Sequence, residues 1–532
     1  MNKIHNYFNI IIFIQPPSEK GNKMPNTIPG DPMKALGQFG SWLEKRKQNK
    51  YTKERNDIAK EGVKAQEDMN NSYSKQNNLS NLRTNIQNMY SRESAVAEHA
   101  VEEIFKTIDF YLEEYKNTGD IKHQTEAQKL LNKVCLYARN AGVSKGSQKH
   151  ENDTCNTIAK QINERLTDAN KTNHDWESLD IDLHGAFFTE KVSIKNIKSI
   201  KNLNLDGCKF QDGLLLELAH SNINKNSYLT HDSVSLSDCS FGGDLNIHGD
   251  SYSIAQEINL KKNTFTNEAK LDIRNLSAAE NGRLPIIIEG NSMPHDISFT
   301  SIISATIHIG RNKDNLKKTE TSGEIVIKNC ESVDFNIYNH TINGSLKFIP
   351  GNKDSTYRTN TAENIYLKSS EIKGAIILGT SYKNAKYEKI KNIEIVGSSI
   401  HQGLHITAEE IERIWFEYVD FLIEGKALHN SDDAESVDFV NSTKIEFYNI
   451  GKIGTLHLHQ VNFYAPVSID AIQIDKFHLS LTNFYEIKPH VEWGNHSDEY
   501  CLSCSRITFN DDTPISHTVS VLSRQDGYKL DS

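Results

Sequence analysis

The pattern Leu203-x-Leu205-x-x-Cys208-x-Phe210-x-x-x-Leu214-x-Leu216 recurs through the C-terminal two-thirds of the chain. It returns as Val234-x-Leu236-x-x-Cys239-x-Phe241-x-x-x-Leu245-x-Ile247 and as Ile258-x-Leu260-x-x-Asn263-x-Phe265. Later copies are Ile393-x-Ile395-x-x-Ser398-x-Ile400-x-x-x-Leu404-x-Ile406 and Leu456-x-Leu458-x-x-Val461-x-Phe463-x-x-x-Val467-x-Ile469. Apolar residues two apart put their side chains on one face of a strand, and a small residue with a polar turn marks a corner. Units of this kind cannot each bury a core, so they must stack. The pattern predicts a right-handed parallel β-helix, irregular because its spacing varies.

With Leu205 as anchor, the equivalent residues are read as Leu236, Leu260, Ile288, Ile327, Leu367, Ile395, Phe416, Phe439, Leu458 and Leu479. The shorter intervals lie near about twenty residues, one turn of a tight parallel solenoid. Longer ones carry polar inserts at Gly310–Ser322 and Pro350–Asn360, expected as outer loops. Beyond residue 181 only Ala408–Arg413 has helix-like spacing.

Upstream the period changes. Asp31-Pro32 reads as a helix start, followed by Met33, Leu36, Phe39, Trp42 and Leu43, and then by Lys45, Arg46, Lys47 and Lys50. Helical spacing follows over Leu79–Tyr90, Ala95–Tyr115, Gln124–Arg139 and Thr154–Leu166, with an apolar face from Ala95, Val96, Val101, Ile104, Ile108 and Tyr111. The expected organisation of the 532 residues is therefore α+β and multidomain, mainly β. Residues 1–30 are a flexible tail or a mis-assigned start, with Met24 as the alternative beginning. Residues 31–75 form a long basic amphipathic helix, and 76–175 a small all-α domain capping the solenoid. Residues 176–490 form the parallel β-helix and 491–532 a C-terminal cap or tail.

Charge is unevenly spread. The formal net charge is -10, yet the first sixty residues hold more than twice as many Lys and Arg as Asp and Glu. The acidic remainder argues against nucleic acid lying along the β-helix. Seven cysteines, an odd number in a long chain, suit a reducing compartment and hence a cytoplasmic protein. Cys208, Cys239 and Cys330 read as compact fillers at the small position. Cys501 and Cys504 form a lone CxxC, read as ordinary thiols of a C-terminal loop. Ile10–Ile14 is far shorter than the about 20 residues that span a bilayer.

Ile181-Asp182-Leu183-His184-Gly185 followed by Ala186-Phe187-Phe188-Thr189-Glu190 resembles two consecutive units of the pentapeptide-repeat family. Leu183 and Phe188 match the central position and Ala186 the small one; Ile181 and Phe187 depart from the pattern. The stretch Gly40–Lys47 and the helical segment around Ala95–Tyr115 are similar to a branch in which a tryptophan with basic residues opens a charged helix before a helical domain. The resemblance implies a scaffold more than an activity, and some members act as rod-like mimics of duplex DNA.

No phosphate loop, nucleophile elbow or HExxH helix is present. Asp206, Asp238 and Asp244 are candidate acids for a carbohydrate-active β-helix, though such turn positions are ordinarily solvated. His457-x-His459 puts two imidazoles on one strand face, and His401 and His405 lie close by; without a third ligand in register these read as outward polar residues, not a metal site. The ladder Phe210, Phe241, Phe265, Ile372, Ile400 and Phe463 reads as core. No catalytic, cofactor-binding or metal residue is assigned. Trp42, Lys45, Arg46, Lys47 and Lys50 are the candidate contacts, toward an anionic membrane surface or a protein partner. The expected function is a non-enzymatic interaction scaffold. The alternatives are a β-helical carbohydrate-active enzyme or carbohydrate binder, and an acidic DNA mimic. The oligomeric state is left open.

Overall fold

The computed structural model describes scattered positions between residues 41 and 64, then 81–509 with breaks at 144–148, 168–175, 198–202, 219–231, 267, 279–281, 311–317, 352–360, 380–385, 423–444, 465–466, 485–489 and 494–500. The chain divides into two compact units, Met1–Thr84 and Asn85–Ser532. In the first, the described positions at 41–64 are helical and exposed. The second holds both the helical segment and the strands.

Beyond the helical run at 81–88, the second unit carries α1 (Ser94–Thr118), α2 (Ile121–Val143) and α3 (Lys149–Thr167). The apolar face of α1 is Ala97, Ala100, Val101, Ile104, Phe105, Ile108 and Leu112; Ala95, expected inside, is exposed. Gly119 ends α1 with φ 69°, and its N–H donates to the Tyr115 carbonyl at 2.7 Å. Only glycine adopts that left-handed conformation without strain, so the helix stops there. Between α1 and α3, Arg165 clamps Asp109 through Nε at 3.0 Å and a terminal nitrogen at 2.7 Å. Trp176 donates to the same carboxylate at 2.8 Å and stacks on Phe105.

From residue 181 the described chain is mainly parallel β, a system of about 27 strands. Successive strands visit three hydrogen-bonded ladders in a fixed cyclic order. Ladder A joins the short strands, such as Phe187–Phe188, Lys209–Phe210 and Ser240–Phe241. Ladder B joins, among others, Ile297–Ile303, Ile325–Lys328 and Leu346–Ile349. Ladder C joins Ala305–Gly310, Val333–Tyr338, Thr361–Lys368, Tyr387–Val396 and Ala408–Phe421, and continues into Ile445–Phe463 and Val467–Phe484. Apart from local bulges, as between Val333 and Phe335 or between Phe447 and Ile450, the pairings keep register from circuit to circuit, so one apolar residue repeats above another.

That register tests the anchors. Leu236, Leu260 and Ile288 align, followed by Ile309, Ile337, Leu367, Ile395, Phe416, Leu458 and Leu479. Ile327 instead pairs with Phe299 and Phe348 in ladder B. Ile325-x-Ile327-x-x-Cys330 repeats the sequence signature at a different corner, and the insert after Ile309 hides the true anchor. Phe439 lies outside the described residues. Ala408–Phe421 is a strand, not a helix; its inward Ile411, Ile414 and Phe416 follow a bent strand whose spacing imitates a helical face.

The turn out of ladder C obeys one rule at most circuits. The residue two past the anchor has positive φ at Gly207, Asp238, Lys262, Asn339, Ser369, Gly397, Tyr418, Gln460 and Leu481, whereas Gly290, two past Ile288, does not. That kink turns the next side chain inward, where Cys208, Cys239, Asn263, Ser370, Ser398 and Thr482 are buried. Backbone groups freed at the kink need partners there. Asn263 Nδ2 donates to the Leu236 carbonyl at 2.9 Å, and its Oδ1 accepts from the Cys239 N–H at 2.8 Å. Thr482 donates to the Leu458 carbonyl at 3.3 Å, and Cys208 Sγ to that of Leu183 at 3.0 Å. Beyond them, Phe188, Phe210, Phe241 and Phe265 stack at centroid separations of 5.5, 5.4 and 4.8 Å.

Among the described residues the first circuit has no circuit beneath it, and the helices supply partners for its edge. Gln128 exchanges two 2.8 Å hydrogen bonds with the backbone of Asp180. Asn156 Oδ1 accepts from the Thr189 N–H at 3.2 Å, and Asn163 Oδ1 from that of Lys195 at 2.9 Å. Arg139 forms an ion pair with Asp182. An exposed strand edge is thereby covered by side-chain amides of α2 and α3.

Candidate functional site

Because side chains alternate along a strand, ladder C presents three parallel rows outward. Residues Asp334, Asn364, Asn392 and Arg413 form one row: Asn364 pairs with Asn392 and Asn392 with Arg413, while Asn364 Nδ2 donates to Asp334 Oδ1 at 2.6 Å. The next row runs His308, Asn336, Tyr366, Glu394, Trp415, His457, His478. The third includes Tyr338, Lys368, Val396, Glu417, His459 and Ser480.

The first two rows enclose a cleft of about 250 Å³, lined by Asp334, Asn336, Asn364, Tyr366, Asn392, Glu394 and Arg413. Asn392 donates to Asn364, which donates to Asp334, so the amides form a polarised chain across three circuits. Arg283 also reaches Asp334 at 2.6 Å, and Arg413 reaches Glu394 at 3.0 Å. Arg413 Nε is buried and has no hydrogen-bond partner among the described residues. Donors and acceptors therefore alternate along the cleft, and both carboxylates already serve guanidinium groups. This is the chemistry of a hydrogen-bonding surface for hydroxyl groups.

The cleft passes into an aromatic and imidazole stretch. The ring of His457 lies on that of Trp415, centroids 3.8 Å apart and planes 6° from parallel. His459 and His478 stand 6.3 and 5.8 Å from His457. Burial, then the neighbouring His478 and His459, push the His457 pKa below its ordinary value. At the other end His308 stacks on Tyr338, and burial lowers its pKa also.

The residues singled out in the sequence fare unevenly. Trp42 lies outside the described residues, whereas Lys45, Arg46, Lys47 and Lys50 are exposed on a helical run. Asp206 and Asp244 serve the backbone: their Oδ1 atoms accept from the N–H groups of Ser237 and Lys270, each at 2.9 Å. Asp238 is a kink residue. His457 and His459 do face outward, but His401 and His405 are buried, at hydrogen-bonding or ion-pairing distance from Glu371 and Glu446. Among the described residues no three His, Cys, Asp or Glu groups are placed to hold a metal ion. Cys501 and Cys504 belong to a strand, Cys501–Phe509, and not to a loop; Cys504 pairs with Leu479. The aromatic and aliphatic ladder from Phe210 to Phe463 is buried core.

Sequence reading missed the cleft. A signal was present in the repeated Asn364-Ile365-Tyr366-Leu367 and Asn392-Ile393-Glu394-Ile395, which place an outward amide before the same inward pair. No helix among the described residues is long and apolar enough to cross a membrane. Comparison of the chain with protein-family models, with curated proteins and with solved structures finds no match.

Proposed function

We propose that this chain is a right-handed parallel β-helix that acts as a non-catalytic binding scaffold, and that the outer face of ladder C holds an extended carbohydrate chain. The handedness follows from the strong preference of parallel crossover connections. One observation carries the functional reading: the cleft of Asp334, Asn336, Asn364, Tyr366, Asn392, Glu394 and Arg413, built from in-register rows on consecutive circuits. Ladder rungs repeat at about 4.8 Å, close to the advance of one unit in an extended pyranose chain. Hydroxyl groups both donate and accept, which suits an alternation of carboxylate, amide and guanidinium. The engagement of both carboxylates by arginines supports binding over acid–base hydrolysis. Ion pairs of both signs, Lys347–Glu324, Lys389–Glu412 and Lys452–Asp475 among them, weigh against the continuous negative stripe of a DNA mimic.

The test is a glycan array probed with the full chain and with the double variant Asn364→Ala/Asn392→Ala. The wild type binds a defined class of glycans, and the variant loses roughly tenfold or more in affinity, as two hydrogen bonds of about 1 kcal/mol disappear. Unchanged binding by the variant overturns this reading.

The exposed Lys45, Arg46, Lys47 and Lys50 favour a second contact, with an anionic membrane surface or an acidic partner. Flotation with anionic liposomes, lost on replacing the four residues, checks it. Kinship with pentapeptide repeats remains part of the proposal, supported by the burial of Leu183, Ala186 and Phe188. Five free, buried cysteines support a reducing compartment such as the cytoplasm.

A further inference from the structure

The outer face of ladder C changes character along its length. Over the strands Val333–Tyr338, Thr361–Lys368 and Tyr387–Val396 its first two rows are amide and carboxylate apart from Tyr366. Over the next three circuits the rows are Arg413, Thr455, Lys476; then Trp415, His457, His478; then Glu417, His459, Ser480. Three imidazoles thus stand on one continuous face, none with a carboxylate within ion-pairing distance among the described residues.

We propose that His457, His459 and His478 form an anion site that fills on protonation, and that the ladder C ligand is a glycan carrying carboxylate groups that seat there. This rests on reading ladder C as the ligand face, and names the class of sugar. The charged groups around the site are few. Arg413 is drawn to Glu394 at 3.0 Å, and Lys476 is exposed in the flanking row. Over these three circuits Glu417 is the one acid in the rows, and its Oε2 accepts from Trp415 Nε1 at 3.1 Å. Tyr418 stands edge-on to His459, whose Nδ1 shares a hydrogen bond with Ser480 Oγ.

Burial, then the neighbouring His478 and His459, disfavours the charged form of His457 while the site is empty. An anion reverses that balance, because it interacts with the protonated rings and not with the neutral ones. By linkage, binding then takes up protons and strengthens as pH falls. Trp415 assists, since its face lies against His457 and attracts a cation. A uronate carboxyl, with the acidity of an ordinary α-carboxyl near about 3.5, stays ionised through the same range.

The probe is an oligogalacturonate, with its methyl-esterified form as the uncharged control, titrated calorimetrically at pH 7.5 and 5.5. The expected result is affinity about tenfold higher at pH 5.5 for the acid and no gain for the ester. The gain disappears in His457→Gln/His478→Gln, and proton uptake appears when buffers of different ionisation heat are compared at pH 6.5. Failure of the acid to bind at pH 5.5, an equal gain for the ester, or a gain that survives in the histidine variant overturns the proposal. The Asn364→Ala/Asn392→Ala variant separates the two readings. If it leaves affinity unchanged, the cleft is not the site, while the ratio between the two pH values still reports on the imidazoles.

Discussion

His340 makes the sharpest test of how the interior is built. It occupies the inward position filled elsewhere by Cys239, Asn263 or Ser398, and is fully buried. Its ring fits because the preceding circuit offers two hydroxyls: Thr319 Oγ1 lies 2.7 Å from Nδ1 and Thr321 Oγ1 2.9 Å from Nε2. Burial pulls its pKa down to about 3 from the ordinary 6.5. The folded state therefore refuses a proton that the unfolded chain accepts between those values. The stability that goes with a neutral ring is complete above pH 6.5, and falls by about 1.4 kcal/mol per pH unit on the way down. At pH 5 the loss is about 2 kcal/mol. Replacing His340 by Gln keeps a neutral hydrogen-bonding group and removes the titration. A stack of circuits need not unfold as one unit, so the assay is local: amide hydrogen exchange of residues 333–349, wild type against His340→Gln at pH 7.5 and 5.0. Comparison at equal pH cancels the intrinsic exchange rate. The opening free energy of the wild type should fall relative to the variant by about 2 kcal/mol between the two conditions. A pH-independent difference refutes the burial of a neutral imidazole here.

Other positions respond for different reasons. A Cβ on Gly142 would run into the Gly185 carbonyl oxygen, so Gly142→Ala should cost about 1–3 kcal/mol and lower the thermal midpoint; an unchanged midpoint contradicts the close approach of α2 to the first circuit. Phe241 is sandwiched between Phe210 and Phe265, and Phe241→Ala should cost about 3–5 kcal/mol in urea unfolding, whereas a loss below 1 kcal/mol would place it outside the core. Tyr418 holds φ 55° at an exposed kink, so Tyr418→Asn should stabilise by about 1 kcal/mol; destabilisation in the same assay would mean that its ring matters more than its backbone.

The inward half of the fold was readable because burial imposes a period. Leu236, Leu260, Leu367, Ile395 and Leu458 each had to be apolar, and their small neighbours had to fit the kink. Where an insert separated anchor from signature, as after Ile309, a rival motif ending in Cys330 attracted the assignment. The helices were legible for the same reason, although Ala97 and Ala100 replaced Ala95 on the buried face of α1. The outward half obeys no such rule. Arg283 finds Asp334, and Lys391 finds Glu363, only because circuits with inserts of different length stack in register. Two histidines of the imidazole site were visible as His457-x-His459; the third, His478, became a neighbour through the same stacking.

The cleft exists only if Asn364 and Asn392 stand side by side on adjacent rungs. Parallel neighbours lie about 4.8 Å apart, inside the 4.4–6.8 Å window of a disulfide. The pair Asn364→Cys/Asn392→Cys, oxidised under native conditions and read by intact mass and thiol count, should close rapidly. The offset pair Asn364→Cys/Val396→Cys should stay open. Failure of the first pair, or equal closure of both, would contradict the register on which the binding face depends.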